Sequence, residues 1–392
     1  MTIVLTGGGS GGHITPILAV AHELKRLRPD VTIVYIGQKG DKLGDLPQHN
    51  PDIDRAYSVR AGKFRRYHGE GVKQLLDVKT TLKNVRDVGF VFVGFFQSWL
   101  LLRKIRPDSL FIKGGFVGVP VGLAAAMRKI PFITHDSDAM PGLANRIIGR
   151  WATVHTVALP KEAYQYPPQK TVTVGVPVHT NYKPVTTDIK AEFRKLIGLS
   201  EYDQVLLITG GGLGARRLNT AAAAIIPNLL RDYAKLAVVH TVGRGNEAAM
   251  HQIYEQKLSS TDLKRVIIDG YLTDLYKYSG AADVIIARAG ATNLAEFAVQ
   301  GKACVVVPNP LLTGGHQLKN AAYLADHKAI EVVSETDTLS HNGKFESVVR
   351  DILDNPSLRI SLSQNLSTFA KPDAASQLAE LLIKQMPQKA NP

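Results

Sequence analysis

Thr2-Ile-Val-Leu-Thr6, Gly7-Gly-Gly-Ser-Gly-Gly-His13 and the apolar-periodic run from Pro16 to Leu27 open the chain in the order strand, glycine turn, helix. Thr15 reads as a helix cap and Pro16 as a first helical residue, where its missing N–H costs nothing. The same order returns at Gln204-Val-Leu-Leu-Ile-Thr209, Gly210-Gly-Gly-Leu-Gly-Ala215 and a helix from Leu218 to Leu230. Two Rossmann-like halves are implied. Between these openings, apolar strands alternate with helical stretches: Val31 to Ile36, Ser109 to Ile112 and Phe132 to Thr134, then Ala237 to Thr241, Val266 to Ile268, Val284 to Ile286 and Ala303 to Pro308. Short all-apolar strands between helices predict parallel sheets covered on both faces, an α/β class.

At 392 residues the chain exceeds one ordinary domain of roughly 100 to 200 residues. Five prolines, Pro160, Pro167, Pro168, Pro177 and Pro184, crowd one stretch and place the linker there. The domains expected are 1–178 and 179–365, with a helical tail 366–392 able to cross back to the first. The single cysteine, Cys304, excludes an internal disulfide or a cysteine-rich zinc site, and its apolar run makes it a buried strand residue. With no basic leader or apolar signal core before the first strand, a cytoplasmic location is expected.

Net charge is +13 and uneven: from Arg60 to Arg106 there are 11 Lys/Arg, including Lys63, Arg65 and Arg66, against three Asp/Glu. This block holds the longest apolar run, Val88 to Leu102, broken by Gln97 and Ser98. A spanning helix needs about 20 apolar residues, so this run is expected not to cross a bilayer. Phe90, Phe92, Phe95, Phe96 and Trp99, with Arg103 and Lys104, would instead adsorb to an anionic membrane surface. The alternative is a buried core helix with a solvated basic rim. No nucleic-acid reader motif accompanies the charge, and no nucleic-acid partner is expected.

Gly7-x-Gly9-x-x-Gly12 and Gly210-x-Gly212-x-x-Ala215 fit anion-binding turns, where backbone N–H groups and a helix dipole face a phosphate. A nicotinamide dinucleotide would also need a carboxylate after the second strand. Those positions read Ile36-Gly37-Gln38 and Val242-Gly243-Arg244, which argues against an oxidoreductase, and the chain has no P-loop.

With His13 included, the opening resembles that of the MurG family, glycosyltransferase family 28, the transferases that add N-acetylglucosamine to lipid I to make lipid II. The resemblance continues through Lys113-Gly-Gly-Phe-Val-Gly-Val-Pro-Val-Gly-Leu-Ala124, Pro141-Gly-Leu-Ala-Asn-Arg146, Gly210 to Asn219, Ala287-Arg-Ala-Gly-Ala-Thr-Asn-Leu-Ala-Glu296 and His316-Gln-Leu-Lys-Asn-Ala321. It implies two facing Rossmann-like domains, the GT-B fold, with the active site in the interdomain cleft. It implies inverting transfer from UDP-N-acetylglucosamine to an undecaprenyl-linked acceptor, lipid I, by a peripheral enzyme on the cytoplasmic side of the membrane.

His13 is the implied base; with an ordinary pKa near 6.5, a histidine can take the acceptor hydroxyl's proton at neutral pH. The donor contacts implied are Ser10, Gly11, Gly12, Gly212, Leu272 at the uracil edge, Ala291, Thr292, Asn293, Leu294, Ala295, Glu296 for the ribose hydroxyls and Gln317 for the sugar, with His316 and Asn320 beside it. Asn293 with Glu296 also reads as a helix-capping pair. Asp136-Ser137-Asp138 has the form of a metal motif from another glycosyltransferase fold, but it falls where the family has His-Glu-Gln-Asn. No metal and no cofactor are expected, since a helix dipole and basic groups can stabilise the leaving diphosphate. Three positions depart from the family pattern: Asp138 for the usual Asn, Gly212-Leu213 for Ser-Gln, and His179 for Arg. Asp138 and His179 are carried as acceptor or donor contacts. Another UDP-sugar or glycolipid acceptor, or an inactive lipid-carrier or nucleotide-binding scaffold, are the rival readings.

Overall fold

The computed structural model describes residues 1–9, 11–63, 78–340 and 343–385, so Ser10, Arg65 and Arg66 lie outside the described residues. Two compact units divide the chain. The first comprises Met1–Thr180, Leu311–His316 and Lys371–Pro392, and the second Asn181–Pro310 and Gln317–Ala370.

In the first unit, strands β1 (Thr2–Thr6), β2 (Thr32–Gln38), β3 (Arg55–Val59), β4 (Ser109–Ile112), β5 (Phe132–Asp136), β6 (Val154–Val157) and β7 (Thr171–Thr173) form a sheet of order β3-β2-β1-β4-β5-β6-β7. Every pairing is parallel, with Leu5 opposite Tyr35 on one side and Phe111 on the other. Alternate side chains of β1 enter different cores. Ile3 and Leu5 pack with Ile17, Val20 and Leu24 of the helix Gly11–Leu27, while Val4 packs with Leu110, Ile112, Val121 and Ala124. Burial on both faces is why these strands lack an apolar–polar alternation.

The second unit repeats the plan with β8 (Gln204–Thr209), β9 (Leu236–Thr241), β10 (Val266–Asp269), β11 (Val284–Ala287), β12 (Ala303–Val306) and β13 (Glu331–Val332), ordered β10-β9-β8-β11-β12-β13 and again parallel. Cys304 is wholly buried in β12, as its sequence context predicts. Both sheets carry the Rossmann strand order, which reverses direction beside β1 and β8. Ligands of such sheets bind beyond the carboxyl ends of the strands at that reversal.

Two expectations are corrected. The first helix begins at Gly11, five residues before Pro16, and Thr15 is no cap: its hydroxyl donates to the Gly11 carbonyl inside the helix at 3.1 Å. The apolar run is longer than expected: it belongs to a 28-residue helix, Val78–Ile105, in which Leu82–Ile105 has the length and composition of a membrane span, although Leu102, Phe95 and Trp99 of that stretch pack into the core of the first unit. Only 22% of its most apolar window is buried, so the buried-core-helix alternative fails. Leu102 and Ser98 face the first unit, and Phe92, Phe96 and Leu100 are about three-fifths exposed.

Candidate active site

The reversal point of the first sheet is built from the loops after β1 and β4. The Gly7 carbonyl accepts the Tyr35 phenol at 2.6 Å, and the Gly9 N–H donates to Asp41 Oδ2 at 2.6 Å. Gly115, at φ +77°, lies against this loop: a Cβ there would stand 2.5 Å from the Gly8 carbonyl oxygen, so no side chain fits. Lys113, buried at the end of β4, is tied to β1 by its N–H to the Thr6 carbonyl at 2.9 Å.

His13 is half-buried in the first turn of the helix Gly11–Leu27. Its pKa is pulled down to about 4 by desolvation, then by the charges of Lys113 and His316, with Asp138 opposing. At neutral pH the ring is therefore uncharged and able to accept a proton. A lysine ending an apolar strand at the reversal point is the sequence signal that marks Lys113. Its own pKa is lowered by burial against the opposing pull of Asp138 and Asp136.

Asp136 is committed to structure. Oδ1 accepts the Gly142 N–H at 2.8 Å and the Asn145 amide at 3.0 Å, and Oδ2 accepts the Tyr166 phenol at 2.7 Å. Tyr164 fastens the next turn by donating to the Asp138 carbonyl at 2.9 Å. These bonds shape the loop that brings Asp138 to His13. Among the described residues no three His, Cys, Asp or Glu group as metal ligands. His179 does not join His13; its ring packs at 5.1 Å from that of His22, farther along the same helix, where His22 contacts Asp52 at 3.1 Å.

In the second unit, Gly214 and Gly243, both at positive φ, bring the loops after β8 and β9 into backbone contact, leaving no space for a Cβ on either. This contact, rather than a cofactor, explains the glycine of Val242-Gly243-Arg244. The Arg244 guanidinium lies 4.8 Å from the Tyr271 ring centroid, beside Leu272. The loop after β11 is anchored by Arg288, which donates to the Val307 carbonyl at 3.0 Å and to Glu335 at 2.6 Å; Glu335 also receives Arg217 at 2.6 Å.

From that loop the helix Ala291–Gln300 starts at Gly290 without a side-chain cap. The capping-pair reading of Asn293 and Glu296 therefore does not hold. Glu296 is buried and takes a hydrogen bond from Tyr182 instead; burial raises its pKa to about 8 despite that bond. The side chains of Thr292 and Leu294 are buried too, which leaves their backbone as the part able to meet a ligand. Gln317 Oε1 accepts the Asn309 N–H at 2.9 Å, so its remaining recognition group is the amide N–H pair. Asn320 donates to the Ala289 carbonyl at 3.1 Å, tying the helix His316–Asp326 to the β11 loop.

Two Rossmann sheets, each with a glycine loop and a helix start at its reversal point, define the GT-B class of nucleotide-sugar enzymes. Residues 3–156 match the glycosyltransferase family 28 N-terminal domain and residues 205–378 the glycosyltransferase family 28 C-terminal domain. Over 384 residues the chain is 31% identical to the "UDP-N-acetylglucosamine--N-acetylmuramyl-(pentapeptide) pyrophosphoryl-undecaprenol N-acetylglucosamine transferase" of Natranaerobius thermophilus, covering 97% of this chain and 99% of that one. The Bacillus subtilis protein of the same name is 31% identical over 385 residues, with the same coverage. The crystal structure of Acinetobacter baumannii MurG aligns with a TM-score of 0.66 at 22% identity, covering 98% of this chain and 99% of that one. The chain belongs to glycosyltransferase family 28, in its MurG branch.

Proposed function

We propose that this protein transfers N-acetylglucosamine from UDP-N-acetylglucosamine to lipid I, forming lipid II with inversion at the anomeric carbon. The observation that carries the reading is His13, an uncharged histidine in the first helical turn after the glycine loop at the sheet's reversal point, in a chain similar over its full length to transferases of that name. His13 accepts the proton of the acceptor hydroxyl as it attacks. In the second unit, the uncapped start of the helix Ala291–Gln300 receives the diphosphate, with Ala291, Asn293 and Ala295 contributing, and Glu296 accepts from the ribose hydroxyls. Gly212 lets the backbone approach the same diphosphate, Leu272 offers backbone bonds to uracil, and Gln317 binds the sugar. Gly11 and Gly12, which open the helix Gly11–Leu27, add further donor contacts.

No divalent ion is required in this scheme: Asp136 is spent on its own loop, and the helix start meets the leaving charge. The enzyme works as a peripheral protein at the cytoplasmic face of the membrane, held by the apolar stripe of the helix Val78–Ile105 and its basic neighbours. The test is transfer of labelled sugar from UDP-N-acetylglucosamine to a lipid I analogue, beside UDP-glucose and UDP-galactose, with a chelator present. Product from the first donor alone, undiminished by chelation, is expected. Binding without transfer would leave the fold assignment standing and move the substrate or the activity elsewhere.

A further inference from the structure

After the proline-rich linker the chain resumes regular structure at the helix Thr187–Leu196, capped by Thr186, whose hydroxyl accepts the Ile189 N–H at 3.3 Å. This helix is fixed to the second unit by Lys190 and Arg194, which share Asp283, and by Arg194 donating to the Ala281 carbonyl at 3.3 Å. Its Phe193 meets Tyr276 edge-on at 5.9 Å between centroids, and Tyr276 meets Tyr182 edge-on at 6.1 Å. Tyr182 is thus pinned where its phenol reaches Glu296. Burial, then Glu296, pushes the Tyr182 pKa well above its ordinary 10, so the phenol keeps its proton and donates it.

We infer that Tyr182 is a positioning residue of the donor site, orienting the Glu296 carboxylate so that its remaining lone pairs accept the ribose hydroxyls of the nucleotide. The inference rests on the reading of Glu296 as the ribose acceptor. A carboxylate offers about four acceptor sites, and one bond from Tyr182 leaves room for two hydroxyls while fixing the side-chain rotamer. The bond also favours the ionised form against desolvation, which is the form that accepts from both hydroxyls.

Other charged groups on the neighbouring elements are turned elsewhere. Lys277, beside Tyr276, pairs with Asp274 at 2.9 Å, and Arg359 of the helix Pro356–Ser367 donates to the Ile352 and Leu353 carbonyls. Tyr271 and Tyr276 face Tyr182 and reinforce its neutral state. Among the described residues, Tyr182 is the one titratable side chain acting on Glu296.

The sign follows. Glu296 ionises through about pH 8, so donor binding tightens as pH rises through that region. Without the Tyr182 bond, ionisation moves to higher pH. The experiment is calorimetric binding of UDP-N-acetylglucosamine to the full chain between about pH 6 and 9. Its diphosphate is esterified at both ends and does not titrate there. Tyr182→Phe keeps the ring packing and removes only the hydroxyl. It is expected to weaken binding about tenfold at pH 7, the worth of one hydrogen bond to a charged group, with the deficit narrowing toward pH 9. Glu296→Gln is expected to bind weakly and without this pH dependence. A Tyr182→Phe deficit equal at every pH, or no deficit, overturns the inference while Glu296→Gln still binds weakly. If Glu296→Gln binds as well as the unaltered protein, the ribose reading itself falls.

Discussion

His13 shows how far a single group is set by its neighbours. Desolvation and Lys113 hold its pKa near 4 rather than 6.5, so the base form persists until pH falls through about 4. The acid limb of kcat/KM for transfer is therefore expected near pH 4, not near 6.5. Removing the opposing charge with Asp138→Asn moves the limb lower, and removing the cation with Lys113→Met moves it up. His13→Ala is expected to reduce kcat by roughly 10²- to 10⁴-fold while leaving the donor Kd unchanged. A pH–rate profile of the four proteins checks all of this; an unaltered enzyme with its limb near 6.5 would place the titrating base on another residue. Asp138 departs from the family's asparagine, and at this position the carboxylate raises the pKa of His13, so the departure adjusts proton affinity rather than only deleting a donor.

Helices and strands divide into those whose residues announce them and those whose environment makes them. The glycine loops and the strands at Ser109–Ile112 and Val284–Ala287 were readable because burial on both faces demands unbroken apolar runs. The edge strands Arg55–Val59 and Thr171–Thr173 were not, because polar and exposed residues complete them and only a neighbouring strand defines them. Of the site, His13 was legible from its motif, whereas its charge environment was not, since Lys113 and Asp138 approach it from other strands. Tyr182 carried no signal at all: its partner is 114 positions away. The helix Val78–Ile105 was underestimated because Gln97 and Ser98 look like interruptions. In the structure Gln97 Oε1 accepts the Arg60 N–H at 2.8 Å, and Ser98 donates to the Gly94 carbonyl at 2.7 Å, so neither polar group ends the helix. Leu82, Val85, Phe92, Phe96 and Leu100 recur at helical spacing on its exposed side. With Arg103 and Lys104 at its end, this stripe suits anionic lipid, whereas Phe90 lies under Arg60 and Arg86, and Phe95 and Trp99 pack inward. Full burial of a Phe side chain is worth about 1.5–3 kcal/mol, so Phe92→Ser with Phe96→Ser should weaken binding to anionic vesicles by roughly 100-fold or more. Co-sedimentation at low and high salt measures it. An unaltered protein that stays in the supernatant at low salt would remove the membrane proposal.

The two units differ in how the chain assembles them. The second takes its core from residues between Asn181 and Ala370, but the first stays incomplete until the tail from Lys371 is added. The helix Ala374–Lys384 buries Ala374, Ala375, Leu378, Ala379 and Leu382, and Leu378 and Leu382 share a core with Ile3, Ile17 and Leu24. Their spacing announces a one-faced helix, but nothing in it names the sheet it covers. Two leucines and three alanines at about 25 cal/mol per Å² come to roughly 5 kcal/mol or more, comparable with the whole stability of a domain. A chain ending at Ala370 should therefore keep a folded second unit and lose the first. Calorimetry is expected to show the transition of the first unit shifted down or absent while UDP still raises the melting temperature of the second. Leu378→Asp in the full-length chain should act in the same direction, since it buries an unpaired charge in that core. Equal loss of both transitions would mean that the units fold as one cooperative body, and no loss of either would mean that the tail is dispensable to the sheet it covers.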